Sequence, residues 1–333
     1  MAETQNITII GAGILGLWQA YAFAKAGFKV ELYEKQSRAL NEAASAMAGA
    51  MLAPNCELEA SEEIIGTLGL EGVELWRSEF SEIAQKGTLV IAHARDLPEL
   101  DRFAKATPGH EWVDAKQVAK LEPDLKDRFS RALFYEAEGH INPRRMMETL
   151  IKKAEVLGAS FYFDTDGSNI DPKDGWLIDC RGIAAQDVLP ELRGVKGEML
   201  VLKTGEVSLT RPVRLMHPRH PLYIVPWGEG HYMIGATMIE ADGDTRVTAK
   251  SVLELLSAAY TVHPSFGEAE IVEMCAGLRP AFSDNLPRIT KRDKTLLVNG
   301  IFRHGYLLAP VMAGLTLDIV QNNNMSSELI HED

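Results

Sequence analysis

The chain has 333 residues, 46% apolar and 24% charged, an ordinary globular profile on a chain long for one core, so two lobes are expected. Acidic residues outnumber basic ones 47 to 34, and the formal charge of −13 excludes a broad nucleic-acid or anionic-membrane footprint. Cys56, Cys180 and Cys275 form no zinc spacing or disulfide framework, the N-terminus lacks a basic signal region, and no apolar run reaches the about 18 residues of a membrane span. A reduced, cytoplasmic protein is the expectation.

Residues 6–35, "NITIIGAGILGLWQAYAFAKAGFKVELYEK", carry the clearest local signal. Ile7, Ile9 and Ile10 suggest a strand buried on both faces. Gly11, Gly13 and Gly16 then give G-x-G-x-x-G, and Leu17, Ala20, Tyr21 and Ala24 fall at helical spacing, so a helix should begin near Ile14. Gly27 can cap it, and Lys29 to Tyr33 alternate as a second strand ending at Glu34. In such a unit the first glycine allows the turn, the second admits a pyrophosphate to the backbone, and the third lets helix and strand touch. Glu34 is placed for both hydroxyls of an adenosine ribose. Strand, motif, helix, strand and acid in that order predict dinucleotide binding; FAD and NAD both remain open.

The stretch 39–55, "ALNEAASAMAGAMLAPN", is rich in small residues and reads as a helix, either tightly packed or approaching a phosphate or flavin ring. A helix is expected over 62–84, a strand over 87–94, and a helix from about Pro143. Strands follow in "SFYFDT" and "GWLIDCRG". Residues 197–202 and 211–238 look antiparallel, with a hairpin turning at Trp227 to Gly230. Val252 to Tyr260 should be helical, 295–300 a buried strand, and Pro310 should open a closing helix to Gln321. These patterns predict an α/β (α+β, two-lobed) protein. Segments 1–85, 143–195 and 273–333 would make a Rossmann-like nucleotide domain, and 86–142 with 196–272 a substrate domain on a mainly antiparallel sheet.

No G-x-S-x-G, Walker lysine loop or H-E-x-x-H occurs, and His217 and His220 of "HPRH" read as a turn, so no metal site is expected. Two arginines stand out. Arg279 in "GLRP" sits away from any acidic run; its default role is an ion pair with one of the 47 acids, and its alternative is a two-pronged grip on a carboxylate. Arg303 and His304 precede a loop and helix start already positive, where Gly305, Tyr306, Leu307 and Leu308 offer amides, which implies an anion from outside the chain.

Taken together, G-A-G-I-L-G with Glu34, "ASAMAGAML", "EGHINPRR", "YIVP", "IGATM", "GLRP" and "RHGYLLAP" resemble the D-amino-acid oxidase family of flavoproteins, most closely its glycine oxidases of thiamine biosynthesis, from about residue 6 to 320. The resemblance implies noncovalent FAD. Gly11, Ala12, Gly13, Ile14, Leu15 and Gly16 would lie at the pyrophosphate, Glu34 and Lys35 at the ribose, and Ala44, Ser45, Ala48, Gly49 and Met51 along the flavin. It implies that Arg279 pairs with a substrate carboxylate, that Tyr223 bonds the same group, and that Met238 lines a small pocket. Arg303, with His304, Gly305, Tyr306 and Leu307, would stand at the flavin and substrate edge. Trp227 and Phe282 would be bulky near this site.

The implied reaction is oxidation of glycine by FAD and O2 to an imine, then glyoxylate, ammonia and hydrogen peroxide, with the imine open to hand-off to a thiazole synthase. Sarcosine or a D-amino acid is the sibling alternative; an NAD-dependent dehydrogenase and a nonenzymatic flavin-binding module are the alternatives of other classes. Neither a nucleic acid nor a membrane is an expected partner, and a homo-oligomer is compatible with the sequence.

Overall fold

The computed structural model describes residues 6–172, 175–218, 221–240 and 243–333; His220 lies outside them. Asn6–Ile10 forms the predicted strand, with Ile7 and Ile9 fully buried, and pairs in parallel with Lys29–Tyr33 on one side and Trp176–Asp179 on the other. Outward from these lie Ser160–Tyr162 at one edge, and Thr295–Asn299, Arg288–Arg292 and Ile330–Glu332 at the other. The result is a seven-stranded, mostly parallel sheet. Helices Ile14–Lys25, Glu63–Glu79, Pro143–Val156 and Gly305–Asn322 pack with it in one core containing Leu17, Phe23, Trp76, Leu150 and Met312.

A second, nine-stranded sheet is antiparallel except where Val213–Met216 runs parallel to Thr88–Ala92. The predicted hairpin is present: Leu222–Gly228 pairs with His231–Gly235. Helix Ala249–Val262 covers part of this sheet through Leu255, Ala259 and Val262. The expected lobe boundaries at 195/196 and 272/273 fall inside Arg193–Lys203 and Glu270–Ala281, strands paired antiparallel along their length. The chain instead crosses between the large sheets at 180–192 and 282–287, so Arg279 rides the antiparallel sheet.

Two expected helices are corrected. Residues 39–55 hold only a 3-10 turn at Ala44–Met47, a two-residue strand at Met51–Leu52 and a short helix at Pro54–Glu57. Their small side chains serve close approach: a Cβ on Gly277 would meet the Ala44 Cα at 3.4 Å, and one on Gly49 would meet Val225 at 3.4 Å. The closing helix begins at Gly305, and Pro310 lies inside it. Proline withholds an N–H from the carbonyl four residues earlier. That carbonyl, Tyr306 O, accepts the Trp76 indole N–H at 2.5 Å. The two helices approach closely because Gly72 has no side chain, as a Cβ there would stand 2.0 Å from Leu307 O.

Candidate active site

The nucleotide end is built as the motif requires. Gly11 has φ +95°, and a Cβ on it would collide with Cys180 O at 2.6 Å; a Cβ on Gly16 would fall 1.8 Å from Gly11 O. Gly13 differs: a Cβ there would meet only Ser45 Oγ, at 3.5 Å, so its face is open. The Ile14–Lys25 helix starts at Gly13 with no side-chain cap hydrogen bond and no acid in its first turn. The Ile14 amide is taken by Ser45 Oγ at 2.9 Å, which leaves the Leu15 and Gly16 amides without intrahelical acceptors.

Glu34 is buried, its two oxygens accepting the Ala12 amide at 2.7 Å and the Gln36 amide at 2.8 Å. Each oxygen keeps a second lone-pair direction for a hydroxyl donor. An open glycine, an uncapped helix start and a fixed carboxylate at the strand end fit the pyrophosphate and ribose of FAD. The Ala12 and Ile14 amides are occupied within the chain, so those residues shape the cradle; Lys35 is exposed.

Arg279 comes from the Glu270–Ala281 strand. It lies two residues beyond Gly277, which stands opposite Gly197 on the neighbouring strand, so these three share one face. The same face holds Gly277 against Ala44. The side chain needs Gly197, since a Cβ there would stand 2.3 Å from Arg279 Nη2. Nη1 donates to Thr237 O at 3.2 Å. Among the described residues no carboxylate pairs with Arg279. Burial, helped by the neighbouring Arg303 charge, lowers its pKa to about 10, so it stays a cation at neutral pH.

Arg303 is the reverse case and corrects the expectation of an outside anion. Its Nε and Nη2 donate to Glu57 Oε2 and Oε1 at 2.6 and 3.0 Å. His304, the buried residue preceding the last long helix, lies with Nδ1 3.3 Å from Glu57 Oε2 and Nε2 3.3 Å from Ser61 Oγ. Burial works to raise the Glu57 pKa, but Arg303 and His304 outweigh it and hold the carboxyl well below the usual range. The anion that answers Arg303 is therefore internal, while the first amides of the helix are not capped by it.

Tyr223, on the Leu222–Gly228 strand, has its hydroxyl 3.4 Å from Arg303 Nη2. Burial pushes its pKa up to about 12 against the opposing charges of Arg214 and Arg303, so it remains a phenol that can donate. Its ring lies 4.9 Å from the Arg214 guanidinium, which faces Phe103 at 4.5 Å and is ion-paired to Glu59. Of three arginines here, two have acids and Arg279 alone has none.

Several expected contacts are not made. Met238 is 63% exposed and does not enclose a pocket. Tyr306 and Leu307 are core residues: the Tyr306 hydroxyl donates to Ser45 O and Pro143 O, and Leu307 packs on Gly69. The amides of Gly305, Tyr306 and Leu307 have no intrahelical acceptor, so their backbone can still face an anion, whereas the Leu308 amide is bonded to His304 O. Phe282 is buried under Gly300 in a small structural cluster with Leu189, Leu192 and Leu297. Trp227 packs with Val225 and Met233 beside Tyr223. Glu57, Arg214 and Gly197 were not foreseen. Arg214 has a faint signal, a charge inside an apolar alternation; the other two have none apart from their neighbours in space.

The sequence profile of the family described as FAD dependent oxidoreductase (DAO) matches residues 6–319. A Rhizobium etli protein named as the thiamine biosynthesis oxidoreductase ThiO is 48% identical over 310 residues, covering 93% of this chain and 94% of that one. A Bacillus licheniformis protein named glycine oxidase is 27% identical, covering 99% and 96%. The crystal structure of glycine oxidase from Geobacillus kaustophilus superposes with a TM-score of 0.82 at 23% identity, covering 98% of this chain and 97% of that one, and so shares the fold.

Proposed function

The chain belongs to the DAO family of FAD-dependent oxidoreductases, and from that premise we propose that its substrate is glycine, oxidised with O2 and water to glyoxylate, ammonia and hydrogen peroxide by way of the imine. The observation that carries this reading is Arg279, a half-buried guanidinium with a backbone carbonyl as its single hydrogen-bond partner among the described residues and no acid paired with it. A cation partly withdrawn from water without a counter-charge is disfavoured, and a substrate carboxylate supplies the missing charge.

When bound, FAD supplies the two-electron acceptor for the substrate Cα–H bond and passes the electrons to oxygen. The residues of the chain bind and orient. Arg279 takes the carboxylate with two parallel N–H donors, fixed by Thr237 O on its other side. The Tyr223 hydroxyl, kept protonated, adds a donor to the same group. No side chain in the site is required to accept the Cα proton, so rate enhancement rests on orientation and fixed charge. The thiamine assignment carried by the Rhizobium etli relative's name supports delivery of the imine to thiazole formation. The assay is peroxide production with glycine, sarcosine and D-alanine by the purified yellow protein and by Arg279→Ala. The expected outcome is preference for glycine and a severe rise in KM in the variant with an unaltered flavin spectrum; equal glycine turnover in both would overturn the assignment.

A further inference from the structure

We infer that Glu57 sets the charge selectivity of the substrate site: by taking Arg303 as its partner, it leaves one uncompensated guanidinium and so matches the site to an amino acid with a single carboxylate. This rests on the reading that Arg279 receives the substrate carboxylate.

The geometry that carries it is the contrast between two guanidinium groups in one electrostatic environment. Arg303 reaches Tyr223 Oη at 3.4 Å, and Tyr223 is the proposed second donor to the carboxylate, so Arg303 borders the same space. The proximity of the two cations is also felt by Arg279, whose pKa is lowered by burial and then by Arg303 and supported by Glu57. Glu57 meets Arg303 in a two-pronged pair at 2.6 and 3.0 Å and is flanked by His304 Nδ1 at 3.3 Å. It sits at the end of the short Pro54–Glu57 helix and is 7% exposed, so it is not free to swing into water. Arg214 is likewise cancelled, by Glu59.

The second carboxylate of a dicarboxylic substrate would therefore meet a neutral ion pair. It would lose its hydration and gain no unpaired cation, which disfavours it. Without the Glu57 charge, Arg303 would present a second free guanidinium, and the same space would suit two carboxylates.

The test is binding of non-oxidisable carboxylates to the FAD-loaded protein, read by flavin difference spectra and calorimetry. Acetate reports one carboxylate and malonate two. In Glu57→Gln the ratio of acetate Kd to malonate Kd should rise about tenfold or more over the unsubstituted protein. In Arg303→Gln, which removes the guanidinium that cancels Glu57 and leaves the carboxylate with His304 alone beside it, the ratio should fall. In the double variant, with both charges gone, it should return to within about threefold of the starting value. Turnover of iminodiacetate relative to glycine should move in the same directions. A merely structural ion pair would weaken both ligands alike and leave the ratio unchanged in every variant, which would overturn the inference; either single variant suffices should the other not fold. Failure of the underlying reading looks different: acetate would then bind equally to the unsubstituted protein and to Arg279→Gln.

Discussion

Gly197 lies against the guanidinium of Arg279, so that a methyl group on it would stand 2.3 Å from Nη2 and 2.5 Å from Cζ. The obstructed atoms are the far end of a flexible side chain. Gly197→Ala should therefore turn Arg279 aside while the fold survives. The expected outcome is a soluble, FAD-loaded protein whose KM for its carboxylate substrate rises about tenfold to a hundredfold. Steady-state kinetics alongside a melting curve checks it. An unchanged KM would show that the position of this guanidinium does not matter to binding.

Trp76 and Pro310 form a second testable pair. The indole N–H bonds Tyr306 O, the carbonyl that Pro310 leaves without a helical donor. Trp76→Phe should cost about 1–3 kcal/mol by stranding a buried acceptor. Adding Pro310→Ala restores an N–H four residues on, and should recover part of that loss. Denaturant titration of the single and double variants decides; strictly additive effects would mean that the carbonyl is satisfied some other way.

Much of the nucleotide unit was legible because its constraints are local: Gly11, Gly13, Gly16 and Glu34 are set by a turn, a helix start and a strand end within one short stretch. The substrate side was less legible because its constraints are long-range. Composition favours an ion pair for any arginine among so many acids, and the apparent positive end of a helix favours an outside anion for Arg303. Both inferences invert once Glu57, 246 residues before Arg303, closes on it and Gly197 makes room for Arg279. Pro310 misled for a related reason: a proline marks a helix start only when no distant donor, here Trp76, takes over the carbonyl it abandons.

Stability should also depend on pH through two acids near one short helix, with opposite signs. Glu138 is fully buried, accepts the Cys56 amide at 2.9 Å through one oxygen, and has its pKa raised from 4.5 to about 7, chiefly by burial. A carboxyl whose folded value is raised keeps its proton longer when folded. It therefore costs stability progressively as pH rises from about 4.5 to about 7, on the order of 3 kcal/mol in total. Glu138→Gln should be more stable than the parent at pH 8 and equal to it near pH 4. Glu57, held low by its partners, contributes in the other direction, and its share is lost only as pH falls below the ordinary carboxylate range. Melting temperatures across pH 4 to 8 test the Glu138 share, and extending the series below pH 4 tests that of Glu57; a parent-to-Gln difference independent of pH would refute the role of Glu138.

The three glycines of the first turn should separate folding from cofactor binding. Gly11 combines φ +95° with a backbone oxygen 2.6 Å from any Cβ, and Gly16 would place its Cβ 1.8 Å from Gly11 O. In both cases the obstacle is backbone, which cannot step aside, so Gly11→Ala and Gly16→Ala should fail to accumulate as folded protein. Gly13 has φ −65°, a value open to any residue, and a methyl there would meet Ser45 Oγ at an ordinary 3.5 Å. Gly13→Ala should therefore fold with a near-parental melting temperature as apoprotein. Its methyl group would occupy the open face where the pyrophosphate approaches the helix start, so FAD affinity should fall by about tenfold or more. Reconstitution of the apoprotein with FAD, followed by flavin fluorescence quenching, measures this directly. Full FAD affinity in Gly13→Ala would mean that the dinucleotide does not cross the chain at this glycine.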